Sequence, residues 1–410
     1  MKLLHTGDLH LGKSLHETSL IDDQRAMLES LEAELDRGNY AALLIAGDVY
    51  DRTIPPAEAV ELFSGFLVRA RREHPGLRVC LIPGNHDSAR RLSFADRILG
   101  ESGIHIACDP EESFKPIILD DGGKHLALFL LPFLAPGTLS GEPKPAAKGG
   151  LELDFAGAGD KILATQADLA IEAARRFGKA LADPAIAGMP TALVAHCLTR
   201  AGIQSGSERV FLGTAEEVSP ELFSGFSYVA LGHLHRPQRV TDRMWYSGSP
   251  LAYAFDEAGQ EKGFLSVDVD CSSPGFPVSV SLVPVKPLHA VTRLTGPFDE
   301  FYKGVAHGAH SSDYLEITLT DSNLVVNPVN LLRPKFPNLL SLRQGLEGAA
   351  DATHAAREEA ADGAARKTPD GDKRDPVADF SDFETMLHGA VDPDRKELFA
   401  KLLAECADEA

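Results

Sequence analysis

The chain has 410 residues, which allows two or three domains, and 44% of them are hydrophobic, enough to build sizeable cores. Its five cysteines are scattered without a Cys-x-x-Cys spacing, which argues against a disulfide framework or a cysteine-rich zinc site and favours a reducing compartment. The net charge of −20 disfavours a high-affinity, sequence-independent nucleic-acid binder, because phosphate contacts need clustered lysine and arginine.

The acidic charge is unevenly placed along the chain. The tail from Leu346 onward has 17 acidic and 8 basic residues, so it carries −9 of the −20. The charge therefore weakens a nucleic-acid function without excluding it. The N-terminus leads into a short strand and a polar turn, and no segment is long and apolar enough to span a bilayer, so we expect a soluble, cytoplasmic protein.

Six short apolar runs in the first two-thirds of the chain predict buried strands that each end in a polar cluster. These runs are MKLLHTGD, YAALLIAGDVY, LRVCLIPGNHD, HLALFLLPF, MPTALVAHCLT and FSYVALGHLHRP. DDQRAMLESLEAEL and PPAEAVELFSGFLVRARREH have helical periodicity, and Pro55 and Pro56 stand where a first helical turn tolerates them. The alternation predicts an α/β fold, in which ligands tend to bind at the carboxyl ends of the strands.

The later part of the chain divides by composition. A Gly- and Pro-rich surface loop near 142–159 precedes a predicted helix at about 164–181, and both belong to a first domain that we place at 1–283. A small α+β module is predicted at 284–345, and 346–378 is so poor in large apolar residues that we expect a disordered linker. We assign no function to the loop or the linker.

Two amphipathic helices are predicted at 379–410. Their apolar faces consist of Phe380, Phe383 and Leu387 in the first and Leu398, Phe399, Leu402 and Leu403 in the second. Short helices beyond a linker do not fold alone. They either pack on their own body or dock on a partner, and the pattern by itself leaves both open.

The polar clusters at the strand ends contain the residue types of a metal site. Carboxylate oxygen with imidazole nitrogen suits Mn, Fe, Zn or similar ions, and no thiolate is implied. The candidates exceed the needs of one ion but suit two ions that share a carboxylate. One ion would take Asp8, His10 and His235, the other Asn85, His196 and His233, with Asp48 between them.

Two ions about 3.5–4 Å apart form a clamp for phosphoryl chemistry, since they activate a bridging water and neutralise the phosphate. Asn85 offers a carbonyl oxygen without adding a negative charge that would repel phosphate. His86 could donate a proton to the leaving oxygen or stabilise the equatorial oxygens. Asp87 could orient an imidazole or lock the turn.

Each of these motifs is weak in isolation. Asp8 could cap a helix, His10 could be a surface residue, and a buried structural histidine is the default interpretation of His196. What favours the metal site is the order D-x-H, GD, GNHD, H and GH-x-H, with each motif at the end of an apolar strand.

This ordered set resembles the calcineurin-like metallophosphoesterase superfamily. The resemblance implies a four-layer α/β/β/α sandwich with a dimetal site at the strand ends, and it implies phosphoester hydrolysis. The superfamily contains protein phosphatases, nucleotidases, cyclic-nucleotide phosphodiesterases and nucleases, so fold and metals do not define the substrate.

The sequence segments around these motifs are similar to those of one subfamily, the SbcD-type nuclease subunits of bacterial SbcC–SbcD complexes. The similarity covers about 1–345 and recurs in the closing helix, and the words that carry it are DLHLGKSLHETSLIDDQ, GDVYDRTIPPAEAVELF, GNHDSARRL, YVALGHLHRPQ, YSGSPLAYAF, LLRPKFPNLLSLR and DPDRKELFAKLLAE. Archaeal and eukaryotic relatives place a histidine where this chain has Asp51, so any role of that histidine is not carried over.

The subfamily resemblance implies a Mn²⁺-dependent 3′→5′ double-strand exonuclease and hairpin or single-strand endonuclease in DNA repair and recombination. It implies His86 as the catalytic histidine and Asp8, His10, Asp48, Asn85, His196, His233 and His235 as metal ligands. It further implies that 284–345 is a capping module that helps to hold DNA ends. The C-terminal helices would dock on an SbcC ATPase in a heterodimer that assembles into a heterotetramer.

Two rival functions remain open. A small-molecule phosphodiesterase or nucleotidase explains the ligands equally well, but not the extra module and distal helices. A non-catalytic metal-bound scaffold leaves His86 unexplained. The pattern does not say which basic residues contact DNA: Arg69, Arg71 and Arg72, or Arg90 and Arg91, are candidates, although such clusters are more often solvated helix faces.

Overall fold

The computed structural model describes residues 1–94, 96–140, 163, 165–200, 202–203, 217–304 and 307–344, and in the C-terminal part 380–381, 393, 395–396, 399 and 401. The loop predicted at 142–159, the linker predicted at 346–378 and most of the predicted C-terminal helices lie outside these residues. Met1–Gln344 forms one compact unit and Gly345–Ala410 another. In the second unit the rings of Phe380 and Phe399 stack with their centroids 4.4 Å apart.

The described strands are, in chain order, β1 (Lys2–Thr6), β2 (Ser14–Leu15), β3 (Thr18–Ser19), β4 (Ala42–Ala46), β5 (Arg78–Ile82), β6 (Ile104–Ile106), β7 (Ile117–Asp121), β8 (Lys124–Leu131), β9 (Thr191–His196), β10 (Leu198–Thr199), β11 (Glu217–Val218), β12 (Tyr228–Gly232), β13 (Gln238–Thr241), β14 (Met244–Tyr246), β15 (Gly263–Val269), β16 (Val278–Pro284), β17 (Val291–Gly296), β18 (Tyr314–Leu319) and β19 (Leu339–Gln344). The described helices are α1 (Ile21–Gly38), α2 (Ala57–Glu73), α3 (Ala89–Leu92), α4 (Asp96–Glu101), α5 (Gln166–Leu181), α6 (Phe298–Lys303) and α7 (Pro328–Leu332). Within the described residues, none of the helices has both the length and the apolarity to cross a bilayer.

Two six-stranded sheets dominate the first unit. The first has the order β16-β15-β1-β4-β5-β6, and the second has the order β13-β14-β12-β9-β8-β7. Strands β1, β4, β5 and β6 are parallel, as are β8, β9, β12 and β14, while the remaining strands of both sheets pair antiparallel. All six strands predicted from the apolar runs lie in these parallel cores.

The layers follow from the alternation of side chains along each strand. On β4, Leu43 and Ile45 pack among the apolar residues of α1 and α2, whereas Leu44 faces the second sheet. The outer face of the second sheet packs on α5 through residues such as Phe177. Burying a leucine or phenylalanine side chain stabilises the fold by about 1.5–3 kcal/mol. The four-layer α/β/β/α sandwich is therefore confirmed.

The predicted helices are present with small differences at their ends. The second helix begins at Ala57, so Pro56 is its N-cap residue and not part of its first turn. The third predicted helix begins at Gln166, where the Thr165 hydroxyl accepts a hydrogen bond from the Asp168 amide. A side-chain oxygen at this position satisfies an amide that has no partner within the helix.

The segment predicted as an α+β module contains a parallel sheet of order β17-β18-β19 with α6 and α7. Its own apolar cluster includes Phe301, Leu315 and Phe336. The buried Asp23 of α1 connects it to the larger sheets, since its carboxylate accepts hydrogen bonds from the His289 amide (2.9 Å) and the Tyr314 hydroxyl (2.8 Å). The role of this module stays a prediction.

Candidate metal centre

The candidate ligands converge at one end of the two sheets. They follow or end the parallel strands β1, β4 and β5 of the first sheet and β9 and β12 of the second. Parallel strands bring their carboxyl ends to the same edge of a sheet. Facing sheets therefore bring together Asp8, His10, Asp48, Asn85, His86, His196, His233 and His235, all of which are buried except the partly exposed Asn85.

The backbone of four candidate ligands lies in the left-handed region. The φ angles are 52° for Asp8, 43° for His10, 48° for Asp48 and 107° for His233. Such conformations cost of order 1–3 kcal/mol in a residue other than glycine and cluster at functional sites. Local hydrogen bonds hold them here: the His10 amide donates to the Asp48 carbonyl (2.9 Å), and the His233 amide donates to the Asp8 carboxylate (2.9 Å).

One group of donors consists of Asp8, His10 and His235. The ring nitrogens Nε2 of His10 and His235 are only 3.0 Å apart, and ligand atoms of all three residues lie within 4.8 Å of one another. Two imidazole nitrogens and a carboxylate oxygen that converge on one point are the donors that a divalent transition-metal ion prefers.

A second group forms around Asn85. Its Oδ1 is 2.8 Å from His196 Nε2 and 3.2 Å from His233 Nδ1. Asp48 stands between the groups, because its Oδ2 is 3.7 Å from His10 Nε2 and 3.6 Å from His196 Nε2. The donors therefore fit two ions that share the Asp48 carboxylate, and the centre binds divalent metal.

Burial keeps three of the imidazoles, those of His10, His196 and His233, in the neutral form that metal ligands need. Desolvation, together with neighbouring His235 and Lys13, holds the pKa of His10 well below its ordinary value. The pKa of His233 is also well below its ordinary value, through burial and the neighbouring His196. Burial lowers the pKa of His196 to about 3, although the hydrogen bond to the Ala46 carbonyl opposes the shift.

His86 lies beside the two donor groups, and one of its ring nitrogens already makes a hydrogen bond. Its amide donates to Asp48 Oδ1 (2.8 Å), and its Nδ1 is 2.7 Å from the Asp51 carbonyl. Because a carbonyl oxygen only accepts hydrogen bonds, Nδ1 of His86 carries the proton. Nε2 is then the nitrogen that can interact with a substrate. The ring stands edge-on to that of His10, with the centroids 4.7 Å apart.

Asp87 locks the turn and does not orient an imidazole. Its two oxygens accept hydrogen bonds from the backbone amides of Val49, Tyr50 and Gly84 at 2.9–3.0 Å. Burial and the nearby Asp48 carboxylate raise the pKa of Asp87, against the effect of these three amides. The loop that carries Asn85 and His86 is thus tied to the loop that carries Asp48.

The structure adds neighbours that the sequence pattern missed. Glu257 is fully buried beside His235 and pairs with the buried Lys262. Burial alone would raise the pKa of Glu257, but the hydrogen bond with His235 and the Lys262 ammonium lower it to about 2. No signal in EAGQEKGF distinguishes these two charges from surface residues, because their burial depends on tertiary packing.

A similar pair stands beside His10. Lys13 Nζ is 2.8 Å from Asp51 Oδ1, and that same oxygen is 3.7 Å from His10 Nδ1. The Asp51 side chain therefore lies beside the centre, and the Asp51 carbonyl is 2.7 Å from His86 Nδ1.

The two basic clusters differ in their surroundings. Arg71 donates to the carbonyls of four residues at the carboxyl end of α2 and after α4, and Arg69 pairs with Glu32 at 2.8 Å. Arg72 pairs with Glu73 at 2.8 Å. The first cluster thus serves local structure. Arg90 and Arg91 are exposed on α3, directly after the loop that carries His86.

A cage of buried imidazoles and carboxylates at the ends of two facing sheets defines a metal-dependent phosphoesterase, a hydrolase. Residues 1–237 match the model of the calcineurin-like phosphoesterase family, and the chain belongs to this family. It is similar to the SbcD subunit of the nuclease SbcCD from Staphylococcus epidermidis, at 27% identity over 83% of this chain and 85% of the relative. The corresponding SbcCD nuclease subunit of Staphylococcus saprophyticus is 28% identical over 83% of this chain and 84% of the relative.

Proposed function

We propose that the chain is the nuclease subunit of an SbcC–SbcD-type complex, a Mn²⁺-dependent 3′→5′ exonuclease on duplex DNA ends and an endonuclease on hairpins and single strands. The observation that carries the proposal is the pair of donor groups that share Asp48, in a chain whose relatives are named as nuclease subunits. We assign metal ligation to Asp8, His10, Asp48, Asn85, His196, His233 and His235.

The mechanism assigns a separate task to each part of the centre. Two bound divalent ions supply the positive charge that activates a water and neutralises the phosphate. Asn85 contributes an oxygen without negative charge, so it does not repel the incoming phosphodiester. His86, with Nδ1 held by the Asp51 carbonyl, directs Nε2 at the phosphate oxygens or the leaving oxygen, where its protonated form donates a hydrogen bond.

A groove beside the centre suits a phosphate backbone. It has a volume of about 460 Å³. Its lining includes Lys13 and His16, which lie in or next to the hairpin of β2 and β3, and Arg293 and Arg343 from the sheet β17-β18-β19. Both arginines pair with the buried carboxylate of Glu316, at 2.7 and 3.0 Å, and Asp256 also lines the groove, so its lining has three basic and two acidic side chains. Phosphate contacts position a nucleic acid without reading its sequence.

One residue belongs both to the groove and to the surroundings of the metal centre. Tyr253 lines the groove, and its ring centroid is 5.5 Å from that of His10. A phosphate backbone that lies in the groove would therefore be close to the centre, beside Arg293 and Arg343. We infer that the module predicted at 284–345 contributes to DNA binding in this way.

An SbcC ATPase is the proposed partner. A chain with a net charge of −20 gains little non-specific affinity for DNA from its overall charge, so a DNA-binding partner would supply what the local groove lacks. The C-terminal segments, which contribute none of the assigned metal ligands, are the proposed docking elements.

The test places the purified chain, with Mn²⁺, on end-labelled duplex and hairpin DNA beside a panel of nucleotides and a simple aryl phosphodiester. Replacing His86→Ala is expected to reduce DNA cleavage by about 10²–10⁴-fold with metal retained, because a positioned proton donor contributes about that much. Replacing His125→Ala, an exposed histidine on β8, serves as the matched control and should leave the rate unchanged.

Three other outcomes would contradict the proposal or part of it. Turnover of nucleotides or the aryl diester with DNA untouched, even after addition of SbcC and ATP, would make the chain a small-molecule phosphodiesterase. Metal binding without turnover of any substrate would make the centre structural. Loss of bound metal in His86→Ala would assign His86 to the metal site and not to proton transfer.

A further inference from the structure

A buried ion pair lies directly behind one candidate ligand. His235 Nδ1 is 3.3 Å from Glu257 Oε1, and Lys262 Nζ is 2.5 Å from Glu257 Oε2. The exposed fraction of the whole residue is 0% for Glu257 and 7% for Lys262. Lys262 also donates to the His235 carbonyl at 2.7 Å and to the Ser249 hydroxyl at 3.2 Å. The pair thus contacts both the ring and the backbone of His235.

This contact determines which ring nitrogen of His235 carries the proton. An ionised carboxylate only accepts hydrogen bonds, so the proton shared with Glu257 is on Nδ1 of His235. The lone pair of Nε2 is then directed away from Glu257, towards His10 Nε2 at 3.0 Å. Without the carboxylate, a neutral imidazole divides its proton between both nitrogens, and only one of the two forms can bind metal through Nε2.

The two donor groups differ in the hydrogen-bond partner of the histidine nitrogen that points away from the other donors. His196 Nδ1 donates to the neutral Ala46 carbonyl at 2.8 Å. His235 Nδ1 has the Glu257 carboxylate at 3.3 Å, whereas His10 Nδ1 has no hydrogen-bond partner within the described residues. A carboxylate partner raises the basicity of an imidazole ligand and fixes its orientation.

We propose that Glu257 and Lys262 are a positioning pair that fixes the tautomer of His235 and makes the group of Asp8, His10 and His235 the tighter of the two metal sites. Lys262 holds the Glu257 carboxylate in place through its contact with Oε2. The inference rests on the metal ligands assigned under the proposed function, and it adds an order of affinity to them.

The test is a titration of the metal-free, full-length chain with Mn²⁺ by calorimetry and electron paramagnetic resonance. The wild type is expected to bind one ion more tightly than the other. The double variant Glu257→Gln with Lys262→Met keeps the approximate shape and leaves no unpaired buried charge. It is expected to bind the tighter ion about 10–100-fold more weakly and the second ion as before, since loss of such an outer partner typically has this effect.

The matched control is Glu172→Gln, which removes a buried carboxylate of α5 that pairs with Arg175 and Arg176. Its Mn²⁺ affinities are expected to equal those of the wild type. Unchanged affinities in the Glu257/Lys262 double variant, or two equal affinities in the wild type, would overturn the proposal while the proposed function stands. A wild type that binds no Mn²⁺ at all would instead refute the proposed metal ligands.

A second measurement needs no variant of the pair and so does not depend on its folding. In the metal-free wild type labelled with ¹⁵N-histidine, the resonances of His235 are assigned by their loss in His235→Asn. The proposal expects the Nδ1-protonated tautomer for His235. A proton on Nε2 would overturn the proposal, because that form presents no lone pair towards His10.

Discussion

His5 connects the two sheets through hydrogen bonds of its ring. Its Nε2 donates to the Leu231 carbonyl at 3.2 Å, and its Nδ1 accepts from the Tyr228 hydroxyl at 2.9 Å. His5 is on β1 of the first sheet, and both partners are on β12 of the second. Burial lowers the pKa of His5 to about 3, so the ring stays neutral in the folded state.

The lowered pKa of His5 predicts a loss of stability in acid. The unfolded chain takes up a proton at His5 near pH 6.5, whereas the folded chain does not until about pH 3. Unfolding is therefore favoured as the pH falls below 6.5, by about 1.4 kcal/mol for each pH unit. Replacing His5→Gln, which does not titrate, is expected to remove about 2 kcal/mol of the loss between pH 6.5 and pH 5.

The measurement is the free energy of unfolding in urea at both pH values, for metal-free protein, because the candidate ligands also titrate. Replacing the exposed His125→Gln is the control and should leave the pH dependence of the wild type unchanged. An equal loss of stability in wild type and His5→Gln would show that His5 is protonated in the folded state, contrary to the prediction.

At the scale of elements, the glycine at the end of a strand decides how closely the two sheets approach at the centre. A Cβ on Gly232, the last residue of β12, would lie 1.8 Å from the Ala46 carbonyl oxygen at the end of β4. The obstacle is backbone, so it cannot move aside as a flexible side chain would. The contact brings His233 next to the donors of the other sheet.

Replacing Gly232→Ala is expected to lower the free energy of unfolding by about 1–3 kcal/mol, because the strands must separate to accept the methyl group. Gly178→Ala is the matched control: this glycine is inside α5, and an added Cβ meets nothing within 4 Å. The control is expected to raise stability by about 0.5–1 kcal/mol, since alanine favours a helix over glycine. Urea unfolding distinguishes the two, and equal effects in both variants would refute the steric argument.

The attachment of the small parallel sheet is a second property of elements. The Tyr314 hydroxyl at the start of β18 donates to the Asp23 carboxylate of α1, and both residues are buried. Replacing Tyr314→Phe is expected to destabilise β17, β18 and β19 by about 1.5–3 kcal/mol, the range for a hydrogen bond to a charged group. Hydrogen exchange of amides in these strands measures the effect.

The control for this attachment is Tyr302→Phe, at the end of α6, where the residue is 49% exposed. Its exchange rates should match those of the wild type. If Tyr314→Phe accelerates exchange no more than this control does, the hydroxyl of Tyr314 does not hold the sheet to α1.

At the scale of the whole molecule, the sequence predicts what is encoded locally. The six parallel strands predicted from the sequence are continuous apolar runs because both faces are buried, and all of them except β8 are followed closely by polar residues. The donors Asp8, Asp48 and His233 could therefore be named without coordinates. The sequence also predicts that the donors form two groups with Asp48 between them. The assignment of each ligand to an ion remains a proposal.

Long-range packing is what the sequence did not reveal. Strand β16 alternates between partly exposed and exposed residues, so it gives a weaker signal than a buried strand. Glu257 and Lys262 look like ordinary surface charges until β15 and the loop after β14 bury them. Asp23 and Tyr314 are 291 residues apart, and no local pattern marks their contact.

The C-terminal segments carry the last prediction, which concerns assembly. Phe380 and Phe399 stack on one another with ring planes 5° apart, so one residue from each of the two predicted helices contacts the other at this point. A charge in this stack should separate them, since a buried unpaired carboxylate is strongly disfavoured. Phe380→Asp in the full-length chain is therefore expected to abolish co-purification with an SbcC ATPase while Mn²⁺-dependent hydrolysis of an aryl phosphodiester is unchanged. Lys396→Gln, at an exposed position of the same region, is the control and should co-purify normally. Normal co-purification of Phe380→Asp would exclude the paired helices as the docking element, and loss of hydrolysis would show that they support the phosphoesterase unit instead.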